Sequence, residues 1–325
     1  MSIQKKPAKR PFGNYFSWSI SRSNLFNECK RKYFYNYYGY WDGWSTSAKE
    51  PNRSIYVLKN LQNRFQIKGK LIHDEIQKII QNYRKTGEWD NIKIPLQRIK
   101  NRLQESYIKC KTKSYWNHNN SLKSYSDSKG DPILMFQELE YDRDLSKEGW
   151  SYMFDEIKKN MVNFYKSFIV EELSKLNRNC IVEVDRKSEA PTFKFFNEDI
   201  YSILDLLYEK GKQTIIVDWK TGKGEEEHKD QALVYALYAN NHLHKSPESV
   251  RYFEYNLERN DYREYTFTHH DIQRGINFVK DNINMLKSHL SDPDNNIALI
   301  EDHPMTEDKS KCTFCNFNKV CYPEG

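Results

Sequence analysis

No apolar run in this 325-residue sequence approaches the roughly 20 residues that a helix needs to cross a bilayer, so neither a membrane-spanning helix nor a membrane partner is expected. The segment Met1 to Arg10 is basic and polar and has no apolar stretch of the kind a secretory signal carries, which makes a cytoplasmic protein the expectation. A Gly-x-x-x-x-Gly-Lys-Ser/Thr phosphate loop is also missing, so any ATP-driven step must come from a partner. There is no internal repeat and no clear linker. The six cysteines are not needed as staples, because a chain of this length can bury a sizeable core without them.

What is present begins with charge. Lys and Arg number 51 against 45 Asp and Glu, a formal balance of +6, and Lys5-Lys6 and Lys30-Arg31-Lys32 are denser than that average. Such a balance permits nucleic-acid binding, and it is equally what solvated protein faces look like. The 23 tyrosines supply surfaces on which bases can stack.

Periodicity divides the chain in two. Leu25, Phe26, Cys29, Tyr33 and Tyr37 recur at helical spacing after the capping hydroxyls Ser19, Ser21 and Ser23, which places Cys29 on an apolar helix face. A second helix is expected from near Ser54 to Arg84, with His73 beside Ile76 and Ile80 and with Gly87 as its stop. Further helices are expected over roughly Leu96 to Tyr107 and Gly149 to Leu176, with a polar, loop-like stretch, Lys111 to Asp131, between them. From Cys180 the pattern turns to strands: Cys180 to Lys187, Thr192 to Phe196, Ile200 to Leu207 and Gln213 to Lys220, the last two joined at Gly211 as a hairpin. A helix over His228 to His242, strands near Val250 to Asn256 and Glu264 to Thr268, and a helix over Asp271 to Leu290 follow. The expectation is an α/β fold whose sheet lies in the C-terminal half, under a largely helical N-terminal half.

The chemistry concentrates on one strand. In Ile215-Ile-Val-Asp218-Trp-Lys220 the side chains alternate, so Asp218 and Lys220 project from one face. A hairpin folding at Gly211 brings Asp205 alongside Asp218. Two converging carboxylates repel unless a hard cation such as Mg²⁺ or Mn²⁺ lies between them. Gln231 and Tyr235, four apart on a helix, share a face that can orient Lys220 or substrate. Glu183 on the strand Ile181 to Asp185 is a further candidate, with Asp185 and Glu189 as rivals. An isolated Asp-x-Lys at a strand end has no such significance; here the surrounding residues give it weight.

Cys312-x-x-Cys315 and Cys321 crowd the final residues beside Phe314 and Phe317. Three soft ligands need a fourth, and the spacing by itself fits zinc, an iron-sulfur cluster or chance. Cys110 and Cys180 have no partner at useful spacing.

These landmarks, in order, resemble the PD-(D/E)XK nuclease superfamily and, within it, the RecB-like branch that includes AddB-type nuclease domains and CRISPR adaptation exonucleases. The residues are Ser19-Ile-Ser-Arg-Ser-Asn-Leu-Phe-Asn-Glu-Cys29-Lys-Arg-Lys-Tyr33, Gly69-Lys-Leu-Ile-His73, Asp205, Asp218-Trp-Lys220, Gln231-x-x-x-Tyr235 and the terminal cysteines. The resemblance implies a restriction-endonuclease-like core, a mixed central sheet flanked by helices. It implies that His73, Asp205, Asp218 and Trp219 hold Mg²⁺ or Mn²⁺, that Lys220 assists the nucleophile, and that Gln231 and Tyr235 form an accessory motif. It further implies a [4Fe-4S] cluster on Cys29, Cys312, Cys315 and Cys321. Two departures stand out: Ser202 occupies the place where a Gly commonly precedes the first acid by three, and the span from His73 to Asp205 is long. Residues 1–18 are then a flexible basic N-terminus and 19–325 a single composite domain, with a helical region 19–179, a catalytic core 180–290 and a cysteine region 291–325. The implied activity is hydrolysis of DNA, single-stranded or with free ends, with a helicase or other DNA-processing protein as a possible partner. A catalytically silent iron-sulfur scaffold subunit is the competing reading, and a zinc or redox protein without a DNA role a third.

Overall fold

A computed structural model describes residues 13–117, 126, 130–184, 192–224 and 227–323. The expectations for residues 1–12, most of the polar stretch after 117, Asp185 and Glu189 lie outside the described residues.

The N-terminal half is helical, as its periodicity predicts, but its helices are shorter and capped where polar residues offer caps. After a two-residue strand β1 (Ser17–Trp18), helix α1 (Ile20–Glu28) starts on the Ser19 side chain, which accepts from the Arg22 amide. The expected continuous helix breaks at Cys29, which is extended at φ −164° and whose sulfur accepts from the Lys32 amide at 3.5 Å to start α2 (Lys30–Phe34). A π-helical turn, Tyr35–Gly39, follows. The helix expected from Ser54 onward is likewise two: α3 (Asn52–Lys59), then strand β2 (Leu61–Gln62), then α4 (Arg64–Thr86). Asn63 and Gln66 form a reciprocal capping box at the start of α4, and Gly87 ends it in the left-handed region at φ 84°, where a side chain would be strained. Next come α5 (Lys93–Lys111), strand β3 (Met135–Phe136), which pairs in parallel with β2, and the short α6 (Gln137–Glu140). α7 (Lys147–Lys166) and α8 (Phe168–Lys175) replace the single helix expected there, because the Ser167 hydroxyl accepts from the Val170 amide and restarts the chain.

The C-terminal half carries the sheet. Strands β4 (Ile181–Val184), β7 (Leu206–Lys210), β8 (Gln213–Lys220), β9 (Val250–Asn256) and β10 (Asp261–Thr266) lie in the order β10-β9-β8-β7-β4. The β8–β9 pair is parallel and the others antiparallel, so the sheet is mixed. The parallel step requires a crossover, which α9 (Lys229–Asn241) supplies. The run expected as one strand from Ile200 to Leu207 is divided. β5 (Thr192–Phe195) and β6 (Glu198–Tyr201) join β1 in a separate three-stranded sheet, and only the residues after Asp205 enter the main sheet. Helix α10 (His269–Lys287) and the terminal turn α11 (Asn318–Cys321) complete the fold.

Alternation along β8 sorts its residues between two apolar layers. Ile215, Val217 and Trp219 face the N-terminal helices, where Trp219 meets the Phe164 ring edge-on at 5.5 Å. Ile216 faces the opposite layer with Tyr235 and Leu237 of α9 and Val279 of α10. Each such buried side chain contributes about 1.5–3 kcal/mol. The result is a mixed sheet between two helical layers, the α/β architecture expected from the sequence.

Candidate active site

The site forms where β7 and β8 begin and end together. Gly211 at φ 60° allows the tight β7–β8 turn, and the resulting register puts Lys210 opposite Gln213 and Leu206 opposite Val217. One step beyond the last pair stand Asp205, just before β7, and Asp218, and Asp205 accepts the neighbouring Trp219 amide. The hairpin at Gly211 thus fixes which carboxylates meet at the far end of the strands.

Asp218 is buried among polar partners. Its Oδ1 lies 3.0 Å from the Tyr235 hydroxyl and 3.2 Å from the Gln231 amide nitrogen, and its Oδ2 lies 2.7 Å from the Lys220 ammonium. Lys220 also donates to Gln231 Oε1 at 2.7 Å, so Gln231 holds lysine and carboxylate at once through the two ends of its amide. Gln231 also donates to the Tyr235 hydroxyl at 2.8 Å, and that hydroxyl has the Ile203 carbonyl as a second acceptor at 3.0 Å. Asp205 receives the Trp219 backbone amide on Oδ2 at 2.7 Å and faces His73 Nδ1 across 2.9 Å on Oδ1. His73 reaches the strands because α4 comes close one turn earlier, at Gly69, where an added Cβ would stand 3.1 Å from Thr221 Oγ1. The Trp219 ring is buried on the opposite face of β8, so any part this residue has at a cation falls to its backbone carbonyl.

Charge at the site follows from burial and pairing. Burial raises the Asp218 carboxyl above its ordinary range, with Lys220 opposing and Asp205 reinforcing the shift. Burial by itself depresses the Lys220 ammonium, but Asp218 outweighs it, Glu254 and Asp205 add to it, and the lysine stays charged. Burial, then Asp218 and Asp205, push the Tyr235 phenol well up, so it remains a protonated donor.

The other expected residues are placed as follows. Glu183 on β4 is buried and accepts from Tyr238, one turn of α9 beyond Tyr235. Ser202 is buried just before the acid. A residue that the sequence reading missed is Glu254: β9 pairs it in parallel with Asp218, it is buried, and His228 Nδ1 lies 2.9 Å from its Oε2. Burial alone would raise the Glu254 carboxyl, but His228, then Lys220 and Arg263, hold it below the usual range. Its sequence signal was a carboxylate in the midst of the apolar strand Val250–Asn256.

Cys29, Cys312, Cys315 and Cys321 line one pocket between α2 and the terminal residues. The Cys315 sulfur accepts from the Phe317 amide at 3.4 Å. Burial pushes the Cys321 thiol up to about 11, with Cys315 adding to the shift. Cys110 is buried in the helical layer and donates to the Leu134 carbonyl, and Cys180 is partly exposed. Among the described residues no three His, Cys, Asp or Glu side chains already stand in a coordinating array.

The mixed sheet thus ends in two acids, a paired lysine and a Gln-Tyr helix face. The profile of the PD-(D/E)XK nuclease superfamily matches residues 17–322, and the chain belongs to that superfamily. Membership implies a nuclease hydrolase, and these enzymes generally use divalent cations such as Mg²⁺ or Mn²⁺. Comparison with curated proteins gives no match.

Proposed function

We propose that the protein is a metal-dependent deoxyribonuclease of the RecB-like branch, an exonuclease on single-stranded DNA ends. It acts within one composite catalytic unit whose terminal cysteines hold a [4Fe-4S] cluster with Cys29. The observation that carries this reading is Gln231 holding both Lys220 and Asp218, with Asp205 opposite. A silent scaffold has no need to keep this acid–lysine–amide network aligned.

The residues fit a hard cation. Asp218 Oδ2 is buried and, among the described residues, has no aligned hydrogen-bond donor, with the Lys220 ammonium 2.7 Å away. Asp205, His73 and the Trp219 carbonyl supply further oxygen and nitrogen donors. A cation held by these residues would supply Lewis acidity toward a phosphate oxygen and a bound water. The chain's own residues do the rest. Lys220, kept charged by Asp218, stabilises the negative charge that grows on the phosphate oxygens as water attacks phosphorus. Gln231 sets the lysine's direction, and Tyr235 holds Asp218. The four thiols around one pocket likewise suit a cluster, which would tie α2 to the C-terminal residues.

The pathways this activity suits are recombination and repair, CRISPR adaptation and phage-related defence, with a helicase or other DNA-processing protein as partner. The test is cleavage of end-labelled linear and circular single-stranded DNA with Mg²⁺ or Mn²⁺, using anaerobically purified protein and its Lys220→Met variant. Metal-dependent cutting that the variant loses and circles escape supports the reading. Intact DNA with fully loaded protein refutes it.

A further inference from the structure

Beside the catalytic strand end lies a cavity of about 450 Å³ between the start of α4 and α7. Two of its lining side chains, Phe65 and Tyr152, are large aromatics left 61% and 59% exposed. Scattered exposed rings are ordinary on protein surfaces. Here two of them share one concavity with three cations, Arg64, Lys68 and Lys223. The acid Glu156 in the same wall is already engaged by Lys68 at 3.3 Å and Lys223 at 2.9 Å, which leaves the cationic side in excess over Glu156 and Glu148 together. Lys223 also donates to the Tyr152 hydroxyl at 2.9 Å, and the Arg64 guanidinium lies 4.7 Å from the centre of the Phe65 ring.

Two elements lead from the cavity lining to the catalytic residues. Phe65, Gly69 and His73 are four residues apart on α4, so they share one face, and Phe65 stands about 12 Å along the helix from His73. Lys223 follows Lys220 in the chain by one short segment, through Thr221, which packs at Gly69. A strand whose phosphate lies at Lys220 therefore meets, to one side, the cations Lys223 and Arg64 and two exposed rings on which unstacked bases can lie.

We propose that this cavity is the seat for the unpaired nucleotides flanking the scissile phosphate, with Phe65 and Tyr152 stacking on bases and Lys223 and Arg64 meeting the backbone, while the buried Lys68 holds Glu156. It makes single-stranded ends, not blunt duplex, the preferred substrate, because paired bases cannot present their faces to the two rings. The proposal takes its substrate class from the nuclease reading above, and its test separates the two.

Binding of a labelled oligothymidylate is measured by fluorescence anisotropy, with Ca²⁺ in place of the active cation, for wild type, Phe65→Ala, Tyr152→Ala, the double variant and Tyr152→Phe. Both rings are exposed, so the substitutions leave the melting temperature unchanged. The expected result is a rise in Kd of about tenfold for each ring removed, with Tyr152→Phe close to wild type and binding to blunt duplex unchanged. An abasic oligonucleotide should bind the wild type as weakly as the double variant binds oligothymidylate. A double variant that binds oligothymidylate within about twofold of wild type, or equal losses for duplex and single strand, overturns the proposal. If wild type cuts no DNA while the ring substitutions still weaken binding, the seat stands and the nuclease reading falls. If wild type cuts and the rings make no difference, only the seat falls.

Discussion

Replacing Lys220 with Met should separate cation binding from cleavage. The substitution keeps an apolar stem and removes an ammonium 2.7 Å from Asp218 Oδ2. Two unit charges at that distance attract by roughly 6 kcal/mol at an effective dielectric constant of 20, before desolvation is counted. The Lys220 side chain is 21% exposed, so water reduces the net coupling, and about 1–3 kcal/mol is a reasonable remainder. In the metal-free wild type that coupling competes with an incoming cation. Without it Asp218 is a buried carboxylate short of a counter-charge. At about 1.4 kcal/mol per decade, the affinity for Mn²⁺ should rise about 5- to 140-fold in the variant. Cleavage should fall by about 10²–10³-fold, because the donor to the growing negative charge is gone. Calorimetric titration with Mn²⁺ reads the first quantity and single-turnover cleavage the second. Weaker Mn²⁺ binding in the variant would refute the electrostatic argument, and cutting within a fewfold of wild type would refute the role given to Lys220.

Further outcomes follow from other contacts. Tyr235→Phe removes a hydroxyl shared by Asp218, Gln231 and the Ile203 carbonyl, and a lost bond to a charged group is worth about 1.5–3 kcal/mol; the cleavage rate should drop at least tenfold while DNA affinity holds. Cys29→Ser should lower bound iron and visible colour and reduce the melting temperature of anaerobically purified protein, with no change in folded secondary structure by circular dichroism. Glu140 is almost wholly buried and takes Tyr115, Trp116 and Lys319 as donors, so Glu140→Gln should lower stability by about 1–3 kcal/mol in denaturant titration. His303, enclosed by Tyr33, Phe34 and Tyr38, has its pKa lowered from 6.5 chiefly by burial. A base depressed in the folded state contributes stability that is present above 6.5 and lost as the pH falls below it, so His303→Phe should flatten the fall in melting temperature on the acid side of 6.5.

The sheet and its acids were legible because their signals are local. Alternation in residues 215–220 set the face of Asp218 and Lys220, Gly211 marked the turn, and helical spacing joined Gln231 to Tyr235. Breaks in the N-terminal half were harder to see, since apolar residues keep the helical period across them. The stops are side-chain caps at Cys29, Asn63 and Ser167, each satisfying amides that periodicity does not count. The Asn63–Gln66 pair was a readable capping box inside what looked like one long helix. Glu254 was missed for another reason: its place in an apolar strand was readable, but its position beside Asp218 comes from a parallel pairing between strands separated by α9. The division of residues 198–210 between two sheets depends on β1, nearly two hundred positions away, and no local pattern carries that.

The lacing of early to late residues bears on how the chain comes to be folded. Arg31 donates through its backbone to the Pro304 carbonyl and through its guanidinium to those of His303 and Ile300, while Asn316 donates to the Leu58 carbonyl. During synthesis, the helix carrying Arg31 must wait for residues roughly 270 positions further on before these bonds can close. Contacts so distant in sequence make assembly slow. The N-terminal layer is therefore uncovered until that later segment is made, and its aromatic surface, Tyr33 to Tyr40, is where a nascent chain of this protein would need shielding.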